Sequence, residues 1–362
     1  MPTTTRPTTR LLEFLKLICE TPAPTFEEEV RGELVAKLLR DMGLKPFTDA
    51  VGNVIAEISG GTGQRVLVAA HLDTVFPKET NVKIKGGNQK LFAPGIGDNS
   101  ASLAVMLAYL EHTLVTNETR PRLTFAATVG EEGLGDLRGM RELMRTHPSS
   151  FDAVVALDGH LGTIVDKAVG SKRFEVTFTA KGGHSWGDFP SPSAIHALGD
   201  AIHALNHVVV PKEPRSSYNV GEIRGGTSVN AIAQEASFNL DLRSLDTKVL
   251  EGLEQDALRR IRRAAREHSV EVRIEQVGDR PAGKCDNAWL VALAKEALQV
   301  VNVLSKTAAS STDANAAMAV GIPAIAFGVY HGGDAHRLSE WLEPDSLQTG
   351  YRSLVELMKR LA

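Results

Sequence analysis

The sequence predicts an α/β fold: a mostly parallel sheet with flanking helices, interrupted by an inserted ferredoxin-like α+β domain of βαββαβ order. Three observations predict it. Short continuous apolar runs read as strands buried on both faces, the mark of a parallel sheet: RVLVAAH ending at His71, RLTFAATVGEE at Glu131–Glu132, FDAVVALD at Asp158 and IPAIAFGVYHGGDAH at His336. Segments of helical period separate them, which makes βαβ units. From about residue 171 the pattern turns to strict apolar–polar alternation, the period of a half-exposed antiparallel strand.

The elements follow in order. LLEFLKLIC at 11–19, broken by Glu13 and Lys16, is an amphipathic helix rather than the apolar core of a leader. Residues 26–42 have helical spacing, acids in the first turn and Gly43 as a stop. The strands GNVIAEI and RVLVAAH come next, then a helix over about 100–115, the RLTFAATV strand, a helix near 136–146 and the FDAVVAL strand. KRFEVTFTAKG sets Phe174, Val176 and Phe178 against Glu175, Thr177 and Thr179 on opposite faces. A helix at 193–208, strands at 217–224 and 234–243, a helix at 247–268 and a strand at 270–277 complete the βαββαβ order. A helix at 286–300, a buried strand at 322–330 and a closing helix at 345–361 return to the first pattern. The expected division is 1–170 with 279–362 for one domain and 171–278 for the insert.

Composition narrows the function. At 362 residues the chain exceeds the usual single domain. A net charge of −4 offers no basic footprint for nucleic acid; RRIRRAAR at 259–266 shares a helical pattern with Leu253, Leu258, Ile261 and Ala265 and reads as a solvated helix face. Cys19 and Cys285 have no spacing partner for zinc and build no disulfide framework, which fits a reducing cytosol. No stretch reaches the ~18 uninterrupted apolar residues of a membrane span. A cytoplasmic protein with neither nucleic-acid nor membrane partners is expected.

Open α/β sheets carry their chemistry at the carboxyl ends of parallel strands. Imidazoles and carboxylates delivered to one rim point to divalent metal, two ions rather than one. In AHLDTV, Asp73 is placed to orient a metal-binding His71; the plainer alternative is a strand-end His and a turn Asp. Asp98, in PGIGDNSAS, stands immediately before a helix, whose start would place a short bridging carboxylate rigidly; the plainer alternative is an N-cap, and the two roles can coexist. Glu131 and Glu132 leave a strand in opposite directions, so one suits a general base and the other a ligand; the alternative is two exposed loop acids. Asp158 is followed by a competing ligand, His160, and His331 competes with His336, which RLSEW places at a helix-proximal turn. Gly183-His-Ser-Trp-Gly187 has the G-x-S-x-G form, with Asp313 and His336 following. However, its strand alternates and Pro190 and Pro192 block a helix, against Ser185 as nucleophile. His203-Ala-Leu-Asn-His207 has Ala204 where a zincin needs Glu and reads as one face of a helix. GGTGQ at 60–64 and KGGNQ at 85–89 are turns without the P-loop Lys-Ser/Thr.

HLDTV, GIGDNSAS, TVGEEGLG, ALDGH, KGGHS and GGDAHRLSEW together resemble the M20 dizinc metallopeptidase family over nearly the whole chain. That family includes tripeptidases of the peptidase T kind, glutamate carboxypeptidases and N-acyl-amino-acid deacylases. The resemblance implies that His71, Asp98 and Asp158 bind one zinc and that Asp98, Glu132 and His336 bind the other. It further implies that Asp73 orients His71, that Glu131 is the general base, and that His184 polarises the substrate carbonyl, often across a dimer. Asn230 and Arg243 match positions that hold substrate polar groups, and the insert matches a lid and dimerisation domain. Cobalt or manganese would suit the same donors. The implied activity is hydrolysis of small peptides as a di-, tri- or exopeptidase. N-acyl-amino-acid deacylation is the alternative, and a silent metal- or ligand-binding dimer is a further one, opposed by Glu131 beside Glu132 and by His184. The sequence departs from the family pattern at Asn99, where many members have Asp, and at Ala233, where the Asn motif usually ends in Pro. An Asp at 158 rather than Glu is more similar to the peptidase branches.

Overall fold

Along a strand successive side chains point to opposite faces, so a run without polar alternation has two faces to bury. The computed structural model, which describes residues 7–116 and 118–362, covers both faces. In the strand Thr62–His71, Val66, Val68 and Ala70 enter one core while Leu67 and Ala69 enter another. Ala153–Leu157 divides in the same way, with Ala153, Val155 and Leu157 opposite Val154 and Ala156. The first core is closed by the helices Pro7–Cys19, Glu29–Asp41, Ser102–Val115, Ala288–Val300 and Pro344–Arg360. The second is closed by Arg138–Thr146 and Ala314–Ala319.

The chain forms two compact units, Met1–Ala168 with Lys284–Ala362, and Val169–Gly283. The sheet of the first runs in the order Phe47–Thr48, Val54–Ile58, Pro121–Thr128, Thr62–His71, Ala153–Leu157, Ala324–Phe327, Thr163–Ala168, Lys306–Ser310. Its four central strands, from Pro121–Thr128 to Ala324–Phe327, are parallel, so their carboxyl ends share one rim. Outside them Val54–Ile58 and Thr163–Ala168 join antiparallel. Lys306–Ser310 and Thr163–Ala168 lie outside the expected strands. The former is an exposed edge strand, so it has no second face to bury and carries no apolar run.

Two local readings change. The helix expected from residue 26 begins at Glu29, because Phe26 is left-handed (φ 75°) and the Glu27 N–H turns back to the Pro24 carbonyl. Asp98 does not open a helix or cap one. Ile96–Ala101 is a wide π-type turn in which Asp98 is extended (φ −98°, ψ 97°), the Asp98–Asn99 peptide is cis, and the α-helix starts at Ser102. Contacts far along the chain, described below, claim the Asp98 carboxylate instead of the local amides.

The second unit is a four-stranded antiparallel sheet in the order Ser216–Gly225, Glu235–Ser244, Gly170–Thr179, Glu271–Arg280, the ferredoxin-like arrangement. Phe174, Val176, Phe178, Phe238, Leu240 and Leu242 pack with the helices Ala194–Leu205 and Thr247–Glu267. Asp246 caps the second helix by accepting the Val249 N–H. The unit is longer than the expected 171–278. Its first strand starts at Gly170, and its last runs to Arg280 through a bulge between Gln276 and Gly278 that interrupts the period of two. Among the described residues no helix is long and apolar enough to cross a membrane.

One buried cation ties the helix Glu29–Asp41 to the rim. Arg31 is 1% exposed; its Nε donates to the Thr21 carbonyl (2.8 Å) and its Nη1 to the Leu72 carbonyl (2.7 Å). Burial pulls its pKa down to about 10. Arg31→Met strands both carbonyls at ~1–3 kcal/mol each, so a loss of about 2–5 kcal/mol is expected in urea denaturation, against less than about 0.5 for an exposed helix Arg.

Candidate metal centre

His71 ends its strand, opposite Thr128 in the register. Its Nδ1 lies 3.0 Å from the Asp73 main-chain oxygen and 3.5 Å from Asp73 Oδ1, which leaves Nε2 facing Asp98 Oδ1 at 3.1 Å. The carboxylate of Asp73, 0% exposed, has further tasks. Its Oδ1 accepts the Glu131 N–H (2.9 Å), and its Oδ2 accepts the Glu132 N–H (2.8 Å) and the Thr25 hydroxyl (2.9 Å). Asp73 therefore fixes the backbone of the two glutamates as well as the imidazole. Glu28 anchors the preceding residue: Oε1 accepts the Gly130 N–H (3.0 Å) and Oε2 pairs with Arg138 Nη2 (2.8 Å). Gly130 is left-handed (φ 63°), a conformation open to glycine, and it lets the chain turn from the strand into the glutamate pair.

Asp98 is shared. While Oδ1 faces His71, Oδ2 lies 3.1 Å from His336 Nε2, and that nitrogen is also 3.0 Å from Glu132 Oε1. Ligand atoms of His71, Asp98 and Glu132 lie within 4.8 Å of one another. Asp158 follows directly on the strand Ala153–Leu157, its N–H on the Phe327 carbonyl at 3.3 Å. Asn99 joins this strand to the Asp98 turn by donating its amide to the Leu157 carbonyl at 2.9 Å, a bond an ionised Asp has no proton to make. His336 is left-handed (φ 65°) and lies between the short strands Gly332–Gly333 and Trp341–Leu342, not beside a helix; the final helix begins only at Pro344. The competing His160 packs its ring against Tyr330 at 5.3 Å, and the His331 N–H donates to Ser346 Oγ.

The electrostatics test whether this donor set fits a cation. Burial and the adjacent Asp98 charge push the Asp158 carboxyl up to about 7. The hydrogen bonds that Asp98 and Glu132 accept from His336 push its pKa up to about 10. Burial pulls His71 down, yet Asp73 and Asp98 outweigh it and hold the imidazole well above its ordinary value. Imidazole nitrogen with carboxylate oxygen is the donor set of zinc, cobalt or manganese sites, so the residues fit the group.

The remaining expected residues lie on the second unit. Gly183–His184 pairs with Ala231–Ile232, and the main-chain N–H groups of Trp186 and Gly187 both donate to His184 Nδ1 at 3.2 Å. The His184 proton therefore sits on Nε2. Ser185 belongs to the same turn, with its N–H on the Asn230 carbonyl (3.0 Å) and no helix before Ala194, so the nucleophile-elbow geometry is missing. Asn230 Oδ1 accepts from Ser228 Oγ. Arg243 Nε donates to Asp241 Oδ2 (2.7 Å), whose Oδ1 accepts from Arg173 Nε (3.2 Å).

Known proteins share this architecture. The family model described as Peptidase family M20/M25/M40 matches residues 67–360. A protein of Ajellomyces dermatitidis named "Probable carboxypeptidase" is 25% identical over 288 residues, covering 69% of this chain and 64% of that protein. The succinyl-diaminopimelate desuccinylase of Corynebacterium glutamicum is 26% identical over 237 residues, covering 62% of this chain and 64% of that enzyme. Each of these matches thus spans just under two thirds of the relative's length. A tripeptidase structure from Staphylococcus aureus superposes with a TM-score of 0.83 at 22% identity, over 98% of both chains. A Bacillus subtilis structure described as a dinuclear metal-binding peptidase of family M20 gives 0.70 at 18% identity, again over 98% of both chains.

The raised His336 pKa has a sign that experiment can read. In the metal-free protein its ion-pair contribution to stability is fully present below the ordinary 6.5 and is lost as pH rises through about 10. At pH 8 the imidazole still holds its proton, so zinc uptake is expected to release protons. Calorimetry in buffers of different ionisation enthalpy counts them; uptake without release would mean that the imidazoles are already neutral.

Proposed function

The chain belongs to peptidase family M20/M25/M40, and we propose that it is a metal-dependent amide-bond hydrolase whose substrates are small peptides. The observation that carries the reading is the single Asp98 carboxylate facing two imidazoles, His71 and His336, each at 3.1 Å. His71, Asp98 and Asp158 would hold one divalent cation and Asp98, Glu132 and His336 a second. These cations, zinc in the first instance, would supply Lewis acidity toward the amide carbonyl and the attacking water.

The chain's own residues would do the rest. Glu131, buried and with its backbone held by Asp73, takes the proton of the attacking water and passes it to the leaving amine. His184 donates from Nε2 to the carbonyl oxygen as negative charge develops there, worth ~3–4 kcal/mol for one well-placed donor. Its turn presets that tautomer. Asn230 and Arg243 hold polar groups of the substrate, with Arg243 suited to a carboxylate. By resemblance to the family, the second unit would serve as lid and dimerisation surface, in a cytoplasmic homodimer.

A peptide substrate is supported by the names of the carboxypeptidase and tripeptidase relatives, and an N-acyl-amino-acid substrate by that of the desuccinylase. Both use the same machinery, and the carboxypeptidase and tripeptidase names favour the first.

Two experiments test this. Hydrolysis of matched dipeptides, tripeptides and N-acetyl amino acids is expected to vanish on chelation and return with zinc or cobalt, with the best substrate naming the class. Chelator-resistant turnover would discard the mechanism. Glu131→Gln is expected to lower kcat by ~10²–10⁴-fold with metal content unchanged; near-normal kcat would remove Glu131 from the role of base.

A further inference from the structure

The shared carboxylate of Asp98 stands on a turn with little regular structure of its own. Asp98 and Asn99 leave the helical region within Ile96–Ala101. The turn is also confined on two sides. A Cβ at Gly97 would lie 2.5 Å from the Tyr330 ring, and one at Gly95 would lie 2.8 Å from the Thr74 methyl. Close approach of this kind fixes where the backbone passes but not how its peptide groups point.

Glu340 supplies that orientation. Its Oε2 accepts the Gly95 N–H at 2.8 Å, and its Oε1 accepts the N–H groups of Gly97 at 2.8 Å and Asp98 at 2.9 Å. Its own carbonyl accepts the Ala93 N–H at 3.1 Å, and it is 1% exposed. Glu340 also belongs to the segment that carries His336, and Trp341–Leu342 pairs with Leu91–Phe92 in a small separate sheet. One stretch of chain thus delivers a ligand and clamps the turn that bears the shared ligand.

A buried carboxylate next to Asp98 is adverse unless something needs it there. We propose that Glu340 is a positioning residue of the metal centre. It sets the Asp98 carboxylate between His71 and His336 and couples that setting to the segment 336–342. The inference rests on the reading of the cluster as a two-metal centre.

In Glu340→Gln an amide NH₂ replaces one acceptor oxygen and meets main-chain donors head on, whichever way it turns. The full chain, stripped of metal, is titrated with cobalt, with bound equivalents and the visible cobalt spectrum recorded, alongside thermal melting of the metal-free protein. Wild type is expected to take two equivalents and His336→Ala to lose one. Glu340→Gln is expected to melt moderately below wild type when metal-free, because a main-chain N–H is left unmatched, and to bind at least one equivalent ~10–100-fold more weakly with an altered cobalt spectrum. Glu340→Asp, which keeps the charge but is too short for all three amides, is expected to weaken binding in the same sense and is decisive if the Gln variant does not fold. Two tight equivalents with an unchanged spectrum in the variants, or a large fall in metal-free melting with affinity intact, would overturn the positioning role. Fewer than two equivalents in wild type, or His336→Ala binding as wild type does, would instead overturn the two-metal reading itself.

Discussion

Carboxylates crowded into one place repel, and Asp98, Glu132 and Asp158 meet at the rim with Asp73 and Glu131 close behind. The arrangement is tenable because the acids divide into two kinds of partner. Glu28 and Glu340 face main-chain N–H groups and arginine, and Asp73 faces two main-chain N–H groups besides His71, so that their charge serves backbone position. Asp98, Glu132 and Asp158 face imidazoles and one another, so their charge calls for cations. The first set holds the second in a geometry that the second would otherwise relax away from. Most of what is unusual in the first unit follows from this requirement: the turn at 96–101, the left-handed Gly130 and His336, and the buried Arg31 behind Leu72.

Some of the proposed site residues could be picked out in the sequence because each follows directly on an apolar run. A strand covered on both faces is an uninterrupted apolar run, and the residue that breaks it marks the rim; His71, Glu131 and Asp158 are visible for that reason. The insert was visible through its alternation, up to the bulge at Gln276–Gly278 that hid its last residues. The clamping acids were not visible. Glu28 reads as one of several acids opening a helix, and Glu340 as a loop residue, because the groups they hold are main-chain amides 102 and 242 or more residues away. Backbone donors have no sequence signature. Asp98 misled for a related reason: D-N-S-A-S before an apolar helix is good cap chemistry, and only the distant imidazoles override it.

Asn99 shows how a departure from a family pattern can be consistent with the site. An amide can give a hydrogen to the Leu157 carbonyl, which an ionised Asp cannot, and Leu157 directly precedes Asp158. The residue after the shared ligand is thereby tied to the strand that supplies another ligand. Glu340 does the same from the other side, tying the shared ligand to the segment of His336. Asp98 is braced toward both neighbours by groups that touch no metal themselves.

All five proposed metal ligands come from the first unit, whereas His184, Asn230 and Arg243 come from the second. Metal affinity and turnover should therefore respond to different parts of the chain. On the proposed roles, a defect in the second unit would remove a carbonyl donor or a substrate anchor while leaving every proposed metal ligand and every clamp in place. A defect at Asp73, Glu28 or Glu340 would act through backbone position and reach the proposed metal centre first, with turnover falling as a consequence. The His184 turn fits this separation, since the main-chain N–H groups of Trp186 and Gly187 both donate to Nδ1 and leave Nε2 facing away from them. His71 and His336 of the first unit lie instead beside carboxylates, which hold both above the ordinary imidazole value. On the proposed roles, the same side chain would serve as a hydrogen-bond donor in one unit and as a cation ligand in the other. Main-chain amides decide the first outcome and carboxylates the second.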